Sequence, residues 1–133
     1  MEIPKNYKVI EWPTSYMWFD EDGVLYSKPK PGPFPVFTPE ETQKQLDDFK
    51  KLTGGKKVAM ILESDPKAKP PTKNERDWIA RELNEITKAM AVISTSPLSR
   101  MLANLFFGLK PPPYPVKMVQ DEKEGKEWIK QYL

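Results

Sequence analysis

Apolar positions fall into two rhythms along this chain. In the first third they recur in short extended runs: Tyr7, Val9 and Trp12, then Ser15–Asp20, then Gly23–Lys28. The last two runs are separated by Glu21-Asp22. Asp22-Gly23 is a strong hairpin signal, because glycine accepts the positive φ that such a turn demands. Pro29-Lys30-Pro31-Gly32-Pro33-Phe34-Pro35 cannot supply a ladder of N–H donors and reads as an extended connection.

From Thr38 the rhythm alternates between helical spacing and short greasy runs. Thr38-Pro39-Glu40-Glu41 forms a capping box with proline at the first helical position. Leu46, Phe49 and Leu52 share one face, and Gly54-Gly55 stops the helix. Val58–Leu62 is continuously apolar, as a strand buried on both faces should be. Thr72-Lys73-Asn74-Glu75 is a second capping box, predicting a helix through about Lys88 with Ile79, Leu83 and Ile86 inside. Ala91-Val92-Ile93 is the next buried strand. Ser96-Pro97 caps a third helix ended by Gly108, and Val116–Val119 is the following strand. Asp121 with Glu124 opens a last helix carrying Trp128, Ile129 and Tyr132.

The order β-β-β-α-β-α-β-α-β-α predicts an α/β fold. It is a mixed, mainly parallel sheet with an N-terminal antiparallel hairpin and four helices, in a single domain over residues 1–133. Strand order is not contained in the periodicity.

Composition narrows the chemistry. The chain has no cysteine and no histidine. That excludes Ser-His-Asp and Cys-His nucleophile systems and every Cys/His zinc site, leaving carboxylates, Lys, Tyr, Ser and Thr for any catalysis. No metal ligand set and no cofactor are expected. A formal net charge of +2 with interleaved signs gives no strong field for nucleic acid. The longest greasy stretch, Met101–Leu109, falls far short of the roughly 20 residues a membrane span needs. Met1 is followed by Glu2, Pro4, Lys5 and Asn6, not by an apolar run. A cytoplasmic location is therefore expected.

The stretch Val92-Ile93-Ser94-Thr95-Ser96-Pro97-Leu98-Ser99-Arg100-Met101-Leu102, followed by Val116–Val119 and an acidic-capped helix, resembles the STAS domain. This is the fold of bacterial anti-sigma-factor antagonists and of sulfate-transporter tails. The likeness in element order covers most of the chain. It implies a non-enzymatic regulatory or protein-interaction module, of an uncharacterised branch. Its regulatory members carry a phosphorylatable serine in an Asp-Ser-Ser/Thr-Gly turn. Here Ser64-Asp65-Pro66 and a Lys/Pro-rich loop stand there, so only Thr72 is placed as a phosphoacceptor, without the signature glycine.

Two candidate surfaces follow. In a parallel sheet, ligands bind beyond the carboxyl ends of the strands. Lys69, Thr72, Lys73, Asn74 and Ser96 are the candidates there for a small anion, since helix N-termini offer free N–H groups; ordinary caps with solvated lysines are the plain alternative. On the third helix, at about 100° per residue, Leu98, Met101, Leu102, Leu105, Phe106 and Leu109 share an arc expected to face the core. Phe107 lies nearly opposite, beside Arg100 and Asn104; an arginine, an amide and an aromatic on an outer face suit an interface. Pro111-Pro112-Pro113-Tyr114-Pro115 reads as a connector before it reads as a polyproline ligand. The leading expectation is a module that docks on a protein partner, with a homodimer as one form. The alternative is a carrier or sensor for a small anionic or lipid-like molecule at the carboxyl edge, and a lysine- or carboxylate-dependent enzyme comes third.

Overall fold

The computed structural model describes residues 1–32, 38–64, 73–109 and 111–133. Asp20 governs the first reversal of the chain. Its Oδ1 accepts the backbone N–H groups of Asp22 (2.9 Å) and Val24 (3.0 Å), and Gly23 takes a φ of 78°. The turn joins β2 (Ser15–Phe19) to β3 (Leu25–Pro29) in antiparallel register, with Trp18 opposite Tyr26. Their rings stack with centroids 5.6 Å apart, a cross-strand pair that holds the register. The strand expected across Tyr7–Trp12 narrows to β1 (Ile10–Glu11), because the Trp12 N–H turns to the Ser15 carbonyl (2.8 Å) ahead of donorless Pro13.

β3 then runs parallel to β4 (Val58–Glu63), followed by β5 (Thr87–Ile93) and β6 (Val116–Val119). Among the described residues the sheet has six strands in the order of the chain, β1 to β6. This is the mixed α/β architecture that the sequence predicts. The bridging helices are α1 (Pro39–Thr53), α2 (Lys73–Leu83) and α3 (Pro97–Leu109), and α4 (Glu122–Ile129) follows β6.

Caps set most boundaries. Thr38 Oγ1 accepts the Glu41 N–H (3.1 Å), and Gly54 closes α1 at a φ of 67°. Asp121 accepts the Glu124 N–H (2.9 Å), while Glu124 reaches back to the Gln120 N–H (3.0 Å). One boundary differs from expectation: α2 stops at Leu83, and Thr87-Lys88 already belong to β5. The β-branched Ile86 and Thr87 resist the helix, and pairing from Val58↔Thr87 to Glu63↔Ile93 lets β5 run the full length of β4.

The two faces of the sheet differ in depth. Ala59, Ile61, Ala89 and Ala91 project toward α4, where they meet Trp18, Tyr26, Val119 and Ile129. The alanines let the helix come close, and Gly125 faces the sheet there. A Cβ placed there would lie 3.5 Å from Val119 Cγ2 and 3.6 Å from Ala91 Cβ and Ile61 Cγ2. On the other face the longer Met60 and Met90 join Leu25, Ile86, Tyr114, and Leu46 and Phe49 of α1. Leu52, expected beside them, is 47% exposed instead. Tyr114 is buried and the Pro115 carbonyl accepts the Met90 N–H (2.9 Å), so Tyr114 of the proline-rich stretch is core, as a connector requires.

Candidate functional site

Because β4, β5 and β6 are parallel neighbours, their carboxyl ends lie together. The Ser64 N–H donates to the Ile93 carbonyl (3.0 Å), and the Ser94 N–H to the Val119 carbonyl (2.9 Å). Ser96 stands at this edge as an exposed helix cap, its Oγ accepting the Ser99 N–H (3.2 Å). Lys73 and Asn74 are exposed in the first turn of α2. Lys69 and Thr72, with the phosphoacceptor role considered for Thr72, lie outside the described residues.

The larger finding concerns α3, which is rotated by about half a turn from the orientation its periodicity suggests. Arg100 and Asn104, expected outside, point inward. Arg100 Nη1 donates to the Ser94 carbonyl (2.6 Å). Asn104 donates through Nδ2 to the Met118 carbonyl (3.2 Å) and accepts the Met118 N–H on Oδ1 (2.9 Å). Met118 belongs to β6, the last strand of the sheet among the described residues, so one side of its backbone has no described strand to pair with. A carboxamide carries one donor and one acceptor in the spacing of a peptide group, and here it completes the ladder. Where water is excluded, leaving that pair unmet would cost about 1–3 kcal/mol per group, and the two bonds go with the polar side of α3 turned to the sheet.

The arc expected in the core is therefore outside. Leu98, Met101, Leu102, Leu105 and Leu109 are 60, 61, 54, 61 and 75% exposed. They form one stripe at intervals of three and four residues, next to exposed Gly108. The side chains of Phe106 and Phe107 lie outside the described residues. α3 has a single charged residue, Arg100, and it is engaged inward.

Cavities also open on the described surface. One, of about 260 Å³, lies between α1, the end of α2 and the face of the sheet, lined by Met17, Leu25, Leu46, Phe49, Met60 and Met90. Trp12 borders it, and the Trp12 indole N–H is enclosed without a hydrogen-bond partner among the described residues. None of Lys73, Asn74, Ser96, Arg100 or Asn104 contributes to it. The second, of about 400 Å³, lies beside α4 over the Trp18–Tyr26 stack, with Asp20, Glu122 and Lys126 at its rim. Burial, then the hydrogen bond its hydroxyl donates to Asp20 Oδ2 (3.0 Å), pushes the Tyr26 phenol well above its ordinary value. Tyr7 donates to Glu21, which raises the phenol and lowers the carboxyl. Among the described residues no three carboxylates gather as a metal site. No helix among them is long and apolar enough to cross a membrane.

By fold, then, this is an α/β protein in which an antiparallel hairpin leads into a run of parallel β-α-β units, flanked by an uncovered apolar helix. The chain belongs to the family described as a domain of unknown function (DUF7793), which matches residues 17–133. A solved protein of unknown function from Arthrobacter sp. FB24 is similar at 18% identity over 98% of both chains, with a TM-score of 0.26. No curated protein matches the chain.

Proposed function

We propose that this chain is a non-enzymatic, STAS-like interaction module of the cytoplasm that docks on a protein partner through the outer face of α3. The observation that carries the reading is the stripe Leu98-Met101-Leu102-Leu105-Leu109, held outward because Arg100 and Asn104 are committed to the sheet. Five large apolar side chains in a row on open surface form the sort of patch that marks interaction sites. The lack of histidine and cysteine supports the non-enzymatic part, and the near-neutral charge balance speaks against nucleic acid as the partner. The test is affinity capture with the wild type and with Leu102→Glu/Leu105→Glu, followed by hydrogen exchange on the complex. Loss of the partner in the variant and protection of the α3 amides in the complex are expected. A partner kept equally by both proteins, with α3 unprotected, removes the reading.

The cavity on the α1 face favours a second reading, a carrier or sensor for a small lipid-like molecule. Its walls are largely apolar, and the aromatic Trp12 borders it. Native mass spectrometry of gently purified protein tests it. A retained ligand that Trp12→Phe weakens is the expected result; no retained mass and no saturable uptake of a medium-chain fatty acid dismisses it.

A further inference from the structure

The stripe on α3 also bears on who the partner is. We infer that it is a second copy of this chain, the two α3 helices meeting across a two-fold axis. The inference rests on the docking role proposed for α3 and makes it specific.

Three observations point to self-association. The first is charge. Heterologous partners are commonly sorted by complementary charges around an apolar centre. Here the helix from Pro97 to Leu109 has no acidic residue, and its single cation, Arg100, is bound to the Ser94 carbonyl. The same lack of an outward cation leaves nothing on α3 to attract anionic lipid. A neutral apolar stripe is complementary to itself, as an isologous contact demands.

The second is area. With a Leu-sized residue taken as about 200 Å² when fully open, the exposures of Leu98, Met101, Leu102, Leu105 and Leu109 leave roughly 600 Å² uncovered. Two copies would bury about 1,200 Å², which reaches the range of stable specific interfaces.

The third is placement. α3 flanks β6, the terminal strand, so the stripe lies at one end of the sheet order and the remaining strands extend away from it. Two molecules can meet there with their sheets on opposite sides of the contact. Gly108 lies beside the stripe, with nothing among the described residues within 4 Å of a Cβ built on it, which leaves room for a partner backbone.

The test is sedimentation velocity over a concentration series, using the intact chain. A wild-type dimer and an at least hundredfold weaker association in Leu102→Glu/Leu105→Glu are expected, since each pair would bury four carboxylates in an apolar contact. Far-ultraviolet circular dichroism of the variant should match the wild type. Hydrogen exchange of the wild type alone, at low and high concentration, should show concentration-dependent protection confined to residues 97–109. A wild type that stays monomeric throughout overturns self-pairing, and so does a dimer that the variant retains. If the monomer still captures another protein, or binds neutral phosphatidylcholine vesicles, in an α3-dependent way, self-pairing falls. In the first of those two cases the docking role of α3 stands; in the second it falls as well.

Discussion

Replacing Gly125 by alanine should make this protein more stable, although the residue is buried where α4 meets the sheet. Glycine in a helix interior costs about 1 kcal/mol relative to alanine. The added methyl would sit 3.5–3.6 Å from Val119, Ala91 and Ile61, at the optimum for carbon contacts and short of any clash. Burying one methyl contributes about 0.8 kcal/mol. The two effects together predict a gain of about 1.5–2 kcal/mol, or roughly 5–8 °C in the thermal midpoint for a domain of this size. Thermal and urea unfolding followed by circular dichroism would measure it, and an unchanged urea m-value would assign the shift to native stability. Gly125→Leu is the control: its branched side chain would have to displace the same three neighbours and should destabilise by about 1–3 kcal/mol. An alanine variant equal to or less stable than the wild type would mean that α4 lies closer to β4–β6 than these contacts state. The account of the Ala-rich face would then fail.

Other outcomes follow from single contacts. Asn104→Asp keeps an acceptor for the Met118 N–H but, once ionised, faces the Met118 carbonyl with a second acceptor. The folded state should prefer its protonated form, so the variant should lose about 1–3 kcal/mol at neutral pH and recover part of it as the solution is acidified. Tyr26 holds its proton more tightly folded than unfolded. Above the ordinary phenol value of about 10 the unfolded chain releases that proton while the folded one keeps it, so stability falls with rising pH. Tyr26→Phe should flatten that alkaline decline in pH-dependent urea melts, at the cost of the hydrogen bond to Asp20 near neutrality. Thr38→Ala removes the side-chain acceptor for the Glu41 N–H and should cost about 1 kcal/mol in the same assay.

Comparison of α1 with α3 shows where local reasoning holds. In α1 the cap Thr38, the proline after it, the inward Leu46 and Phe49 and the stop at Gly54 stand as their residue types predict, because each depends on neighbours within a few positions, while Leu52, expected on the same face, is exposed. In α3 the period is equally legible and the helix lies where expected, yet the conclusion about its inner face is reversed. Periodicity fixes the angle between the apolar and polar sides of a helix; it does not say which side meets the sheet. That choice goes with Met118, whose backbone has no strand beyond it among the described residues, and Met118 lies fourteen residues from Asn104. The site signal was present in the sequence as an amide one turn after an arginine. Reading it required knowing that β6 is the last strand.

The sequence by itself determined what depends on chain neighbours: the hairpin at Asp20–Gly23, the capped starts of α1, α3 and α4, the greasy runs that become β4 to β6, and the lack of histidine and cysteine. Tertiary structure decided what depends on partners distant in the chain. It set the consecutive strand order, began β5 at Thr87 by pairing it along all of β4, and turned the leucines of α3 outward. The physical reason is one of range. Propensity, caps and period act over a turn or two, whereas satisfying an edge backbone group or filling the space over a sheet is settled only when strands remote in sequence have come together.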